Sequence, residues 1–237
     1  MLNGLDLFSG IGGLSIAIRP WARTVAYCEQ DRYCQGVLLS RMWSNDLDAA
    51  PIWDDVRTLN AAVLPPIDII TGGFPCQDRS VAGTRRGLEG ERSGLFYEVV
   101  RLTKEIKPAF VFVENPRGTR GDVEKMRSTF RALKYNTRAG ALAAAEIGAN
   151  HGRDRLWILA YSNRVELREQ SRGFGWTQWK DSTLDFWPDW WTRKSGVQRV
   201  AHGIPRRLDR IRGLGNAVVP LQARAAFMRL MGLQGKE

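Results

Sequence analysis

Residues 67–80 read IDIITGGFPCQDRS. Ile67, Ile69 and Ile70 form a short apolar run that stops at Gly72-Gly73. A run of this kind, without strict alternation, suits a strand covered on both faces of a parallel sheet. Phe74 and Pro75 then lead the chain off the strand into Cys76. Cysteine attacks as thiolate and needs an electropositive, partly exposed setting. Arg79, Arg85, Arg86 and Arg92 follow within sixteen residues of Cys76. Gly83, Gly87, Gly90 and Gly94 make that segment bendable, as a lid would be. Cys28 and Cys34 sit instead in strand-like and helix-like patterns, where a cysteine is a small core hydrophobe.

The neighbouring stretches repeat the design. LNGLDLF (2–8) is a short strand that runs into SGIGG (9–13) and a helical stretch. TVAYCEQ (24–30) reads as a second strand, and DRYCQGVLLSRMW (31–43) as a helix with Asp31 near its start. Downstream come a helix at 93–106, strands AFVFVEN (109–115) and LWILAY (156–161), and a closing helix at 219–231. In GLGNAVVP (213–220) a glycine turn enters that last helix, with Asn216 as its cap and Pro220 in its first turn. Strands alternating with helices predict a doubly wound, mostly parallel sheet. Ligands then bind beyond the carboxyl ends of the strands. The unusual residues gather there: Phe8-Ser9-Gly10, Glu29, Pro75-Cys76 and Glu114-Asn115.

Each constellation has a bland reading beside it: a tight strand-to-helix turn for the glycines, a solvated helix-start acid for Glu29, an exposed strand-end acid for Glu114 and a solvated charge pair for Arg153 and Arg155. Gly10, Gly12 and Gly13 make a tight turn into a helix N-terminus, but G-x-G-x-x-G is absent. Glu29, nineteen residues after Gly10, stands where an acid binds ribose hydroxyls. Together they point to a nucleoside cofactor. Glu114 closes an apolar strand, so its pKa is expected to be raised. Arg153 and Arg155 precede a strand at a spacing that puts both on one side of an extended chain. Either suits Glu114 or a phosphate.

The chain of 237 residues carries a net charge of +10, which favours a polyanion partner. Residues 161–212 hold eleven Lys or Arg against six Asp or Glu, half of the excess. Five of nine tryptophans lie at 176, 179, 187, 190 and 191, in a stretch that breaks the strand–helix rhythm. No apolar run is long enough to span a bilayer, and the N-terminus lacks a signal-peptide pattern. The expectation is a cytoplasmic protein with reduced thiols.

In chain order DLFSGIGG, GGFPCQDRS, VENP, RDR and GNAVVP resemble the sequence blocks of DNA cytosine-5 methyltransferases of the bacterial or phage type. The resemblance runs from residue 5 to about 160 and from about 208 to the end. It implies S-adenosylmethionine as methyl donor, S-adenosylhomocysteine as product, no metal, and cytosine in double-stranded DNA as acceptor. Carried onto this chain, it makes Cys76 the nucleophile, Glu114 its acid partner, and Arg155, with Arg153, the support of the Glu and the base. Asp6, Phe8, Gly10, Gly12, Glu29, Asp55 and Pro75 fall at cofactor positions; Asp54 lies beside Asp55. Asn216 and Ala217 belong to the returning block that closes the pocket. Gln77, Arg79, Ser80 and Arg85 fall in the loop over the DNA. His151 and Asp154 replace the usual Gln and Glu around the arginines.

The expected fold is α/β: a doubly wound, mostly parallel sheet of the S-adenosylmethionine-dependent methyltransferase type. Residues 1–161 and 209–237 are expected to form the catalytic domain. Residues 162–208 are expected to form a short target-recognition lobe, with Arg193, Lys194 and Arg199 contacting DNA. Two other classes remain: an RNA (tRNA) cytosine-5 methyltransferase, and a catalytically idle DNA-binding protein, against which the intact Cys76, Glu114 and Arg155 argue. A monomer is compatible with these features, and the sequence leaves open whether a restriction partner exists.

Overall fold

The computed structural model describes residues 1–74, 94–116, 120–165, 167 and 207–233. Its strands are β1 (Leu2–Leu7), β2 (Ala22–Cys28), β3 (Ile52–Trp53), β4 (Ile69–Gly73), β5 (Phe110–Pro116), β6 (Tyr135–Ala143) and β7 (Asp154–Ser162). Its helices are α1 (Gly13–Ile18), α2 (Arg32–Trp43), α3 (Gly94–Ile106), α4 (Arg120–Ala132), α5 (Arg207–Asn216) and α6 (Pro220–Met231). The described strands form one sheet in the order β3-β2-β1-β4-β5-β7-β6. Strands β1 to β5 pair in parallel, and β7 runs antiparallel to both β5 and β6. The strand order reverses between β1 and β4, which is where an open α/β sheet makes its ligand crevice.

The continuous apolar strands are explained by two buried faces. Leu5, Leu7, Ile70, Val111 and Val113 point to one layer, against Phe96 and Val99 of α3 and Phe130 of α4. Ile69, Phe110, Phe112 and Leu159 point to the other, against Leu14 and Ile18 of α1 and Phe227 and Leu230 of α6. Neighbouring residues of one strand thus feed opposite layers. Phe112 stacks on Trp157 at 5.4 Å, and both are fully buried. Each such side chain contributes about 1.5–3 kcal/mol of burial.

Helix α2 starts where its cap predicts: Asp31 accepts from the Tyr33 and Cys34 amides. Cys28 and Cys34 are buried, as expected of core thiols, and burial pushes both up to about 12. Two boundaries differ from the expectation. Asn216 ends α5 and does not cap α6; the α6 N-cap is Val219, followed by Pro220. Proline favours the first helical position and holds the residue before it extended. Strand β7 also begins earlier than read, so that Arg155 lies within it and Arg153 just outside.

The expected lobe at 162–208 lies almost wholly outside the described residues, with Arg193, Lys194 and Arg199. Pro75, Cys76, Gln77, Arg79, Ser80 and Arg85 lie outside them too. Among the described residues no helix is long and apolar enough to cross a membrane.

Candidate active site

The ends of β1, β2, β4 and β5 and the start of β7 meet at one crevice. Glu114 stands opposite Gly73 in the β4–β5 register and opposite Trp157 in the β5–β7 register. Arg155 lies two residues from Trp157, diagonal to Glu114 on the same face. Its Nε is 2.6 Å from Glu114 Oε1. The Glu114 residue is only 6% exposed. Burial pushes its carboxyl above the usual range, and the charges of Arg155 and Arg153 pull it back without cancelling the rise. Gly73 makes room for this carboxylate: a Cβ there would come within 3.2 Å of Glu114 Oε2.

Arg153 and Arg155 do different work, because the chain at Arg153 is not extended. Its φ is +22°, an uncommon value for a residue with a Cβ. Its side chain turns to the link between α5 and α6, donating to the carbonyls of Gly215 (3.0 Å) and Ala217 (2.6 Å). Arg155 alone forms the ion pair with Glu114 among the described residues. Arg153 thereby closes the returning segment onto the sheet. The segment also packs on the glycine turn, where a Cβ at Gly13 would come within 2.8 Å of the Val218 carbonyl.

Glu29 sits at the end of β2 with both oxygens held by backbone: Oε2 accepts from Gly10 N–H and Oε1 from Asp31 N–H, each at 2.7 Å. Burial raises its pKa, and these two bonds partly oppose the rise. Each oxygen keeps a further lone pair for a hydroxyl donor. Phe8 holds φ +53°, a strained value for a bulky residue, at the strand end beside it. Asp55 is gripped by Arg57 at 2.6 Å, which lowers its carboxyl pKa.

One open cavity of about 970 Å³ joins these groups. Phe8, Gly10, Glu29 and Asp55 line one end, with Asp54. Glu114, Arg153 and Arg155 line the other, with Phe74, the second residue before Cys76. Asn216 also lines it. Asp6, Gly12 and Ala217 are not in the lining. Asp6 is buried behind the turn and accepts from the Ser15 and Thr71 hydroxyls at 2.7 Å each. Gly12 holds φ +87° at the cap of α1. Ala217 offers its carbonyl to Arg153. Sequence reasoning missed Arg212, which lines the cavity and reaches Asp31 at 3.5 Å. It also missed Gln222, whose signal was a polar residue inside an apolar helix.

A family model for C-5 cytosine-specific DNA methylases matches residues 2–189. The chain belongs to this family. It is 30% identical over 173 residues to the type II methyltransferase M.HhaI of Haemophilus parahaemolyticus, covering 70% of this chain and 51% of that protein. It is 32% identical over 229 residues to the type II methyltransferase M.CviJI of Paramecium bursaria Chlorella virus IL3A, covering 95% of this chain and 58% of that protein. The chain thus spans little more than half the length of these relatives. The fold is shared with DNMT2 of Spodoptera frugiperda, with a TM-score of 0.59 at 18% identity, over 73% of this chain and 53% of that one.

Proposed function

We propose that the protein transfers a methyl group from S-adenosylmethionine to C5 of a cytosine flipped out of double-stranded DNA. The observation that carries this reading is an open cavity that joins the Glu29 end to the Glu114–Arg155 pair. Its volume lies within the ~300–1,000 Å³ of ligand sites. The Glu29 end suits the nucleoside of the cofactor, with an oriented acid for ribose hydroxyls and an open glycine turn beside it. The bound cofactor would supply an electrophilic methyl group to the far end of the cavity.

The chain's own residues do the rest. Cytosine C5 is a weak nucleophile until C6 carries an added group. The Cys76 thiolate supplies that group, forming an S–C6 bond and leaving C5 enamine-like. Glu114 faces N3, where a protonated carboxyl donates and takes up charge as the ring becomes an adduct; burial shifts its pKa toward that form. Arg155 holds Glu114, and in this reading it also supports the base. Once C5 carries the methyl group, its proton passes to solvent, the S–C6 bond breaks to release the thiolate as the C5–C6 double bond re-forms, and Glu114 recovers the proton it lent to N3. The base face is closed inside a duplex, so the nucleotide must leave the stack. The lobe at 162–208, with Arg193, Lys194 and Arg199, is assigned to DNA contact. A short lobe leaves few side chains for base edges, and each good bidentate pair discriminates by only about 1–3 kcal/mol. The target is therefore short, on the order of two to four base pairs. The place of action is the cytoplasm of a bacterial or phage-infected cell.

Tritiated methyl transfer to duplex DNA and to tRNA tests the substrate, with nucleosides identified after digestion. The expected product is 5-methylcytosine in DNA. Label in tRNA alone would move the reading to the RNA enzyme. N4-methylcytosine or N6-methyladenine would overturn the chemistry, and no label in either would favour the idle DNA-binding protein.

A further inference from the structure

We infer that Gln222 is a positioning residue that ties the closing helix to the arginine block. Gln222 is fully buried on the first turn of α6. Its Nε2 donates to two carbonyls, Leu142 O at 2.6 Å and Arg153 O at 2.8 Å. Both partners are acceptors only, so the amide must present its nitrogen there. The β6–β7 ladder ends at the pair Ala143–Asp154. Gln222 thus stitches the hairpin mouth from outside the sheet.

The position of this stitch gives it a role in the site. The Arg153 carbonyl belongs to the peptide that leads into Asp154 and Arg155. Arg153 is also the residue with φ +22°. Such a backbone persists only where its surroundings over-determine it. Gln222 holds the Arg153 carbonyl, and the Arg153 guanidinium holds Gly215 and Ala217. Two residues on, Arg155 meets Glu114. The cofactor-closing segment and the Glu114–Arg155 pair therefore share one anchor. Arg224, one half-turn along α6, donates to the Ala17 and Ile16 carbonyls at the end of α1. Helix α6 thereby holds both the glycine-turn side and the arginine side of the crevice.

The role in turnover rests on the methyltransfer reading; the positioning itself does not. The test uses the full chain with Gln222→Met, which keeps the volume and removes the donor, and Gln222→Asn, one methylene too short to serve both carbonyls. Hydrogen exchange read by mass spectrometry should accelerate at least tenfold in segments 153–156 and 215–219, with β1 and β2 unchanged. At a temperature where the variant is folded, kcat should fall roughly tenfold with KM for DNA unchanged, short of the ~100-fold loss for ångström-scale misplacement. S-adenosylhomocysteine should bind roughly tenfold more weakly by calorimetry. Exchange that rises uniformly over the sheet, or not at all, in the folded variant overturns the inference, as does a kcat within twofold of wild type. If the wild-type chain methylates no DNA, the methyltransfer reading falls, and exchange in the two segments still decides the role of Gln222.

Discussion

Two carboxylates face the same cavity, and they are held in opposite ways. Glu29 is fixed by two backbone N–H groups that belong to the fold and do not leave. Among the described residues Glu114 is held by one side chain, the Arg155 guanidinium. Burial raises the pKa of both. Under the proposed function, the difference separates a binding end from a reacting end. A carboxylate locked by backbone N–H groups presents its oxygens in a fixed direction. A buried carboxylate balanced between desolvation and two arginines suits an exchange of proton or partner during a reaction.

The largest expected effect tests the reacting end. Cys76→Ser should abolish turnover, because a serine hydroxyl is almost wholly protonated at neutral pH and needs a base to activate it. Methyl incorporation above background in this variant would sink the nucleophile assignment. Glu114→Gln should then cut the rate by at least the ~100-fold typical of general acid–base help, with S-adenosylhomocysteine affinity nearly unchanged. An equal loss of affinity would place Glu114 with Glu29 as a binding group.

A third buried acid sharpens the comparison, because it lies outside the cavity. Burial raises the Asp6 pKa from 3.8 to about 6. The unfolded chain gives up this proton at lower pH than the folded one. The stability tied to protonated Asp6 is thus complete below about pH 4 and is lost as pH rises through about 6. Two pKa units correspond to roughly 3 kcal/mol, as an upper figure. Asp6→Asn should flatten the stability profile between pH 4 and 7 in denaturant titrations. An unchanged slope would show that Asp6 does not titrate in that window.

The smallest effect concerns the binding end. Glu29→Gln should weaken S-adenosylhomocysteine about tenfold, the lower figure for a hydrogen bond to a charged group. The rate at saturating cofactor should stay within a few-fold. A rate loss as large as that of Glu114→Gln would erase the distinction between the two ends.

Much of this was legible in the chain. The apolar runs at 69–70 and 110–113 announced strands with two covered faces, and Glu29 and Glu114 stood at strand ends where the crevice formed. Strand β6 was not legible: YNTRAGALA has few large apolar residues, because its side chains are mostly half-buried at the sheet edge. Helix α5 was hidden by Gly213 and Gly215, which read as a turn. Gly213 lies against Tyr33, where a Cβ would stand 3.5 Å from the ring, so tertiary packing on α2 overrides its propensity. The separate tasks of Arg153 and Arg155 were equally hidden, since they depend on a backbone angle that spacing does not report.

The most direct test of the central claim is a duplex carrying 5-fluorocytosine at the methylated position, incubated with the wild-type chain and S-adenosylmethionine. Fluorine cannot leave C5 as a proton does, so the adduct should persist. Mass spectrometry of the digested complex should find one modified peptide, with the base on Cys76. A complex that dissociates in denaturant, or a base attached to Cys28 or Cys34, would contradict the account.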